Sequence, residues 1–171
     1  MIFRKAEKED FDKIRSLYWT LIDQEQDDPS FPHWKKGIHP SDEMIQDSID
    51  KGNLYVLVDG GEIAACVIAN DQKVEGYADA SWQIDSDEVI VLHVLAVHPD
   101  HRGKGLARRL VENVIEQERK AGKKALRLDV IENNTTAEKL YQKLGFRYIQ
   151  TKTLYYDVVG KMTFKLYELV L

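Results

Sequence analysis

The sequence predicts a mixed α/β fold, a mixed sheet with helices rather than a doubly wound one. Three observations predict it. Val89–Val97 is apolar except for His93, too continuous a run for a strand with one solvated face. Two β-rich runs, 53–58 and 62–70, flank Asp59-Gly60-Gly61, a hairpin signal that pairs them antiparallel. Helical periodicity falls mainly after the first strand and on either side of a strand at 125–131, which argues for a mixed sheet rather than a doubly wound one.

The elements follow in order. Residues 1–6 predict a short edge strand, and the acidic stretch 7–10 introduces a helix whose Phe11, Ile14, Leu17, Tyr18, Leu21 and Ile22 recur at helical spacing. That helix is expected to end near Gln26. Residues 27–40 hold three of the four prolines together with Phe31, Trp34 and Gly37, and read as a loop with exposed or semi-exposed aromatics. Ser41 caps a second helix, which Lys51-Gly52 ends. After the hairpin and a turn at 71–76, residues 77–84 predict a further strand with Ala78, Ala80 and Trp82 on one face. Pro99-Asp100 stops the central strand. A third helix carries Leu106, Leu110, Val111, Val114 and Ile115 on one face and ends at Gly122. A strand over 125–131, a helix over 135–144 closed by Gly145, and strands over 146–156 and 162–171 joined by 157–161 complete the chain.

At 171 residues the chain suits one well-cored domain, 1–171. With 43% hydrophobic and 31% charged residues it reads as a globular protein rather than a disordered one. The net charge of −5 and the lack of a lysine or arginine run leave no electrostatic footprint for nucleic acid. The one cysteine, Cys66, sits inside an apolar stretch and reads as a small core residue; nothing asks for an oxidising compartment, and a cytoplasmic location fits. No apolar run has the length of a membrane span and the first residues hold no apolar h-region, so neither export by that route nor a membrane partner is expected. His98 and His101 bracket Pro99-Asp100 without a carboxylate or cysteine set at ligand spacing, and no metal is expected.

Arg102-Gly103-Lys104-Gly105-Leu106-Ala107 joins the central strand to the third helix. Two glycines there let the chain turn sharply and bring unpaired helix N–H groups close to a ligand, at the end of the helix that favours negative charge. Such a loop suits phosphate. A P-loop needs Gly-Lys-Ser/Thr, which is absent, and a dinucleotide fingerprint needs a closing Gly or Ala where Arg108 stands.

The pattern R-x-x-G-x-A after a strand ending Leu-Ala-Val resembles the acyl-CoA signature of the GCN5-related N-acetyltransferase family. A second segment carries the likeness on: Asn134, Ala137, Leu140, Tyr141, Gly145 and Phe146 match the family's Asn-x-x-Ala, Leu-Tyr and Gly-Phe in order and spacing. Together the two cover roughly a third of the chain. Arg4-x-Ala6 with Asp10 and Ile14 also looks like the family's first strand and helix. The resemblance implies a mixed, largely antiparallel sheet of about six to seven strands flanked by helices, in which the strands ending at Val97 and Ile131 run parallel and splay apart to hold acyl-CoA. It implies that N–H groups from Gly103 through Lys104, Gly105, Leu106 and Ala107 to Arg108 bind the pyrophosphate, with Arg102 and Lys104 adding positive charge. Leu95, Ala96 and Val97 would offer backbone groups to the pantetheine arm, and Asn134 would bond the same arm. Asn134 also reads as a simple helix cap, although Thr135 with Glu138 three residues on forms a capping box that would leave Asn134 for the ligand.

The implied reaction moves acetyl from acetyl-CoA to a primary amine, a small molecule or a peptide N-terminus or lysine, by direct attack in a ternary complex. Tyr141 matches the family's general acid: a phenol with an ordinary pKa of about 10 stays protonated at neutral pH and can donate to the departing thiolate. Tyr141 also lies on an apolar helical face with Ala137, Leu140 and Leu144, so core packing explains it too. His93 is the base candidate, in a Leu-His-x-Leu-Ala-Val context also seen in arylalkylamine acetyltransferases; a satisfied buried histidine, Glu88 or water are the alternatives. The backbone N–H near Leu95 would stabilise the oxyanion. Phe31, Trp34, His39, Tyr77 and Trp82 could line an acceptor pocket, and Asp27 and Asp28 could attract a cationic amine. A non-catalytic acyl-CoA-binding sensor or assembly module is the rival reading, and the strand over 162–171 could pair across a homodimer.

Overall fold

A computed structural model describes residues 1–72, 74–156 and 160–171. Its strands are β1 (Ile2–Lys5), β2 (Leu54–Asp59), β3 (Glu62–Asn70), β4 (Val89–Val97), β5 (Ala125–Ile131), β6 (Arg147–Tyr156) and β7 (Gly160–Val170). Its helices are α1 (Phe11–Glu25), α2 (Asp42–Asp50), α3 (Leu106–Lys120) and α4 (Thr135–Lys143). The strand order is β1-β2-β3-β4-β5-β7-β6. β4 and β5 run parallel, while the β1–β2, β2–β3, β5–β7 and β6–β7 pairs are antiparallel. The mixed sheet predicted from sequence is therefore the observed one. Among the described residues no helix is long and apolar enough to cross a membrane.

The chain divides into two compact units. The first comprises Met1–Asp28, Trp34–Ala69 and Leu92–Val114. Its β2–β3 hairpin turns through Gly60 and Gly61, at φ of 57° and 87°, left-handed values that glycine adopts without steric cost. Ser41 caps α2 by accepting from the Met44 N–H at 3.0 Å, as its position predicts. Asp10, before α1, takes a two-pronged ion pair from Arg4 at 2.6 and 2.9 Å, and that guanidinium holds its carboxyl below the usual range. The core of this unit is Ile14, Leu17, Leu21, Leu54, Leu57, Ile68, Leu110 and their neighbours, with Cys66 fully buried. Burial pushes the Cys66 thiol up to about 12, so it is an inert core residue.

The second unit comprises Pro29–His33, Asn70–Val91 and Ile115–Leu171. Within it β4 pairs with β5 from Val89↔Ala125 to Val91↔Arg127, where the register ends. β7 is bonded to β5 on one side and to β6 on the other. Its backbone has no open edge, which overturns the expectation that 162–171 pairs across a dimer; β6 is the edge strand of the order.

Residues 77–84 are irregular rather than a strand. Their backbone groups are taken by local turns, Tyr77 N–H to Val74 O and Ala80 N–H to Tyr77 O, and by side chains, with Gln150 accepting from Ser81 and Glu168 from Gln83. No ladder is left to form. Arg127 fastens the same stretch: it pairs with fully buried Glu168 at 2.8 Å, donates to Ile84 O, and lies over the Trp82 ring at 4.4 Å. Phe31, expected at least half exposed, is buried at 5%. The predicted connection at 157–161 lies mostly outside the described residues; Gly160 and Lys161 already belong to β7.

Candidate active site

In the first unit, β4 delivers the chain to the glycine loop. The His98 N–H bonds Ala64 O at 2.9 Å, and a short turn of 3-10 helix, Pro99–His101, leads to Arg102. Gly103 and Gly105 then adopt φ of 74° and 70°. A Cβ built at either would meet no atom within 4 Å. These glycines therefore answer a backbone need, with open space in front of them, and the loop has room for a phosphate. The Arg109 N–H bonds Gly105 O, so the N–H groups of Leu106, Ala107 and Arg108 form the open first turn of α3. No acidic residue stands in that turn to compete with an anion.

The cations beside the loop have partners. Arg102 pairs with Glu25 of α1 at 2.5 Å, which ties the loop to that helix, and Arg108 pairs with Glu112 at 2.8 Å. Lys104 Nζ lies 3.4 Å from His101 Nδ1. A cavity of about 460 Å³ in this unit is lined by Asp12, Lys13, Leu17, Glu62, His98 and His101 among others. None of the sequence-predicted site residues lines it.

β4 departs from strand geometry at Val94, where φ is 47°. A β-branched residue rarely adopts a left-handed conformation, and strain of this kind collects at functional sites. The carbonyl of Val94 accepts from the Tyr18 hydroxyl at 2.7 Å. Leu95 and Val97 are half-buried, and Ala96 is buried. His93 is half-buried beside the irregularity; burial, then repulsion from His39, pull its imidazole down to about 4. It is neutral at pH 7, so one ring nitrogen carries no proton, but it is a weaker base than an ordinary imidazole. Glu88, the other candidate for a base, stands exposed just before β4. Trp34 packs edge-on to Tyr18 with centroids 5.7 Å apart.

In the second unit, Asn134 precedes α4 and its side chain accepts from the Ala137 N–H at 3.0 Å. The simple-cap reading of Asn134 is the observed one, and the Thr135–Glu138 box is corrected: Thr135 is the first helical residue. Glu138, the assumed partner in a capping box, accepts instead from Lys165 at 2.9 Å and from Tyr167 at 3.0 Å. With the Asn134 oxygen engaged, its Nδ2 group is what remains to donate to a ligand.

Tyr141 is buried at 7% and meets Phe146 edge-on at 5.5 Å. Burial and the nearby Asp129 carboxylate both raise its pKa, so the phenol stays protonated through the neutral range. Asp129, on β5, accepts from the Tyr77 hydroxyl at 2.6 Å, and burial raises its pKa against that bond. Sequence reading missed Asp129. The signal was an acid in an otherwise apolar run, Leu128-Asp129-Val130-Ile131, the same kind of signal that singled out His93. Tyr77 and Trp82, offered as acceptor-pocket residues, do come together, with centroids 5.1 Å apart and the Trp82 indole donating to Tyr77 O. Among the described residues no group of three or more His, Cys, Asp or Glu side chains could hold a metal ion.

The two units thus supply, each by itself, a glycine turn opening a 15-residue helix after a strand with a left-handed residue, and an Asn-capped helix carrying a buried tyrosine. The chain belongs to the Acetyltransferase (GNAT) family, whose model matches residues 9–146. It is 39% identical over 75 residues to the L-amino acid N-acyltransferase MnaT of Escherichia coli (strain K12), covering 43% of this chain and 44% of that protein. The ribosomal protein bS18-alanine N-acetyltransferase of the same strain is 37% identical over 79 residues, 46% of this chain and 53% of that one. The chain thus spans about half the length of the curated relatives it matches. Among solved structures, a GNAT-family acetyltransferase of Streptococcus agalactiae 2603 superposes with a TM-score of 0.80 at 23% identity, over 99% of this chain and 95% of that one. The Salmonella typhimurium protein yncA, solved with its cofactor acetyl-CoA, gives 0.73 at 19% identity over 100% and 94%. These two likenesses are of fold.

Proposed function

We propose that the chain acts as one acetyltransferase domain, 1–171, that moves acetyl from acetyl-CoA to a primary amine by direct attack in a ternary complex. The observation that carries this reading is the glycine turn: two left-handed glycines with open space before them, at a helix start free of acidic side chains. In it the N–H groups of Gly103 through Arg108 hold the pyrophosphate, and Lys104 and Arg102 add positive charge, Arg102 while still braced on Glu25. Leu95, Ala96 and Val97 bond the pantetheine arm through their backbones. Asn134 donates to the same arm from Nδ2.

When bound, acetyl-CoA supplies an activated thioester. His93 or a water takes the proton that the attacking amine loses as its nitrogen bonds the carbonyl carbon. The Leu95 N–H stabilises the oxyanion. As the carbon–sulfur bond breaks, the Tyr141 hydroxyl gives its proton to the thiolate. Asp129, which accepts from the Tyr77 hydroxyl, helps keep the Tyr141 phenol protonated and ready to donate.

MnaT acts on L-amino acids and the bS18 enzyme on an alanine, which directs the acceptor search to α-amino groups of free amino acids and peptide N-termini, with lysine and small amines beside them. A buried lone cysteine is consistent with a reducing cytoplasm. The test is acetyl-CoA-dependent release of free CoA thiol over amino acids, peptides, polyamines and arylalkylamines, with a blank lacking acceptor. Release with one chemical class establishes the activity and names the acceptor. Acetyl-CoA binding by calorimetry without release from any acceptor would replace the enzyme with a binding module.

A further inference from the structure

Tyr18 has no part in the proton transfers above, yet it touches the most strained residue of the central strand. It lies in the middle of α1, 1% exposed, with its ring edge-on to Trp34 and the Cys66 thiol beside its hydroxyl. That hydroxyl donates to the carbonyl oxygen of Val94 at 2.7 Å, across 76 residues of sequence. Burial raises its pKa well above the ordinary value, so it is a donor at every working pH.

Val94 is left-handed at φ 47°. One such residue in a strand turns its peptide group out of the line of the ladder, and a β-branched side chain resists the turn unless the surroundings hold it. The peptide that follows is trans, since His39-Pro40 is the only cis bond among the described residues. In a planar trans peptide the C=O and the next N–H point in opposite directions. Holding the Val94 oxygen on the α1 side therefore fixes where the Leu95 N–H points, away from α1.

We infer that Tyr18 is a positioning residue for acetyl transfer: by anchoring the Val94 carbonyl it aims the Leu95 N–H at the thioester carbonyl oxygen, where negative charge develops. This rests on the acetyltransferase reading and adds to it a residue from α1 that contacts neither reactant. The logic is that of preorganisation. A donor already directed at the developing oxyanion costs no rearrangement when the bond forms, and one free to swing loses most of that advantage.

Tyr18→Phe removes one oxygen and keeps the ring and its packing. In the full chain, the Leu95 amide is followed by ¹⁵N–¹H NMR during titration with acetyl-CoA and, separately, with CoA. In the wild type, acetyl-CoA is expected to shift the Leu95 amide beyond the shift caused by CoA, while the amides of 103–108 respond alike to both. In Tyr18→Phe the Leu95 difference collapses and the 103–108 response stays, which also reports that the fold is intact. With an accepted amine, kcat falls about tenfold or more while KM for acetyl-CoA stays within about twofold. A merely structural hydroxyl would lower the melting temperature and leave both the Leu95 difference and kcat at 25 °C in place; that result overturns the inference. If acetyl-CoA moves neither Leu95 nor the 103–108 amides of the wild type, the acetyltransferase reading itself falls, and the inference with it.

Discussion

Gly105→Ala separates the two things the loop glycines do. At φ 70° an added methyl meets no atom within 4 Å, so the protein has no steric objection to it. The cost to folding is then the left-handed backbone alone, about 1–2 kcal/mol for an L-residue. For a chain of this length that corresponds to a melting temperature lower by about 2–8 °C. The cost to ligand binding is separate. If the loop holds the pyrophosphate, a left-handed alanine at the helix start strains the turn whose Leu106, Ala107 and Arg108 N–H groups would bind it. Acetyl-CoA affinity is expected to fall at least about tenfold, roughly 1.4 kcal/mol. Gly76→Ala is the control: its Cβ would overlap Leu154 Cδ2, so it is expected to melt lower than Gly105→Ala while binding acetyl-CoA as the wild type does. Scanning calorimetry and isothermal titration on the same samples decide it. A Gly105→Ala protein that loses its few degrees and binds acetyl-CoA with wild-type affinity would show that the glycine serves only the turn, and would refute the phosphate cradle.

Tyr141→Phe is expected to lower turnover about 100-fold with acetyl-CoA affinity unchanged, read by CoA release and calorimetry; equal turnover removes Tyr141 as the acid. Asn134→Ala deletes the observed α4 cap, so a stability loss of about 1 kcal/mol in urea melts is expected together with a raised KM for acetyl-CoA, whereas Thr135→Ala costs neither. His93 gives a pH prediction. Its folded pKa of about 4 lies below the unfolded value near 6.5, so between these pH values the unfolded chain binds more protons. Stability is full above that window and falls as the pH drops through it, and His93→Gln flattens this part of the profile in urea melts at pH 5 and pH 7.

Local chemistry was legible in the sequence. Asp59-Gly60-Gly61 makes its hairpin because two successive left-handed residues are cheap only for glycine, and Ser41 caps α2 because a hydroxyl three residues before a free N–H finds it in any context. The glycine loop was legible for the same reason. The α4 cap was not, since Asn134 and Thr135 are both good caps by type, and lysine and tyrosine from β7 drew Glu138 away from the box. Residues 77–84 have the alternation of a strand, but Gln150 and Glu168, from distant strands, accept the N–H groups that a ladder would need.

By itself the sequence determined the class of sheet, the glycine turn that opens α3, and the family to which the chain belongs, because each depends on residues close together in the chain. Tertiary structure alone decided that β7 is enclosed between β5 and β6, that Arg102 is braced on Glu25, that Asp129 meets Tyr77, and that Val94 is left-handed with its carbonyl held by Tyr18. The last three rest on contacts between groups 52 or more residues apart, and the β5–β7 register on pairs 33 to 45 apart; periodicity and spacing carry no record of such partners.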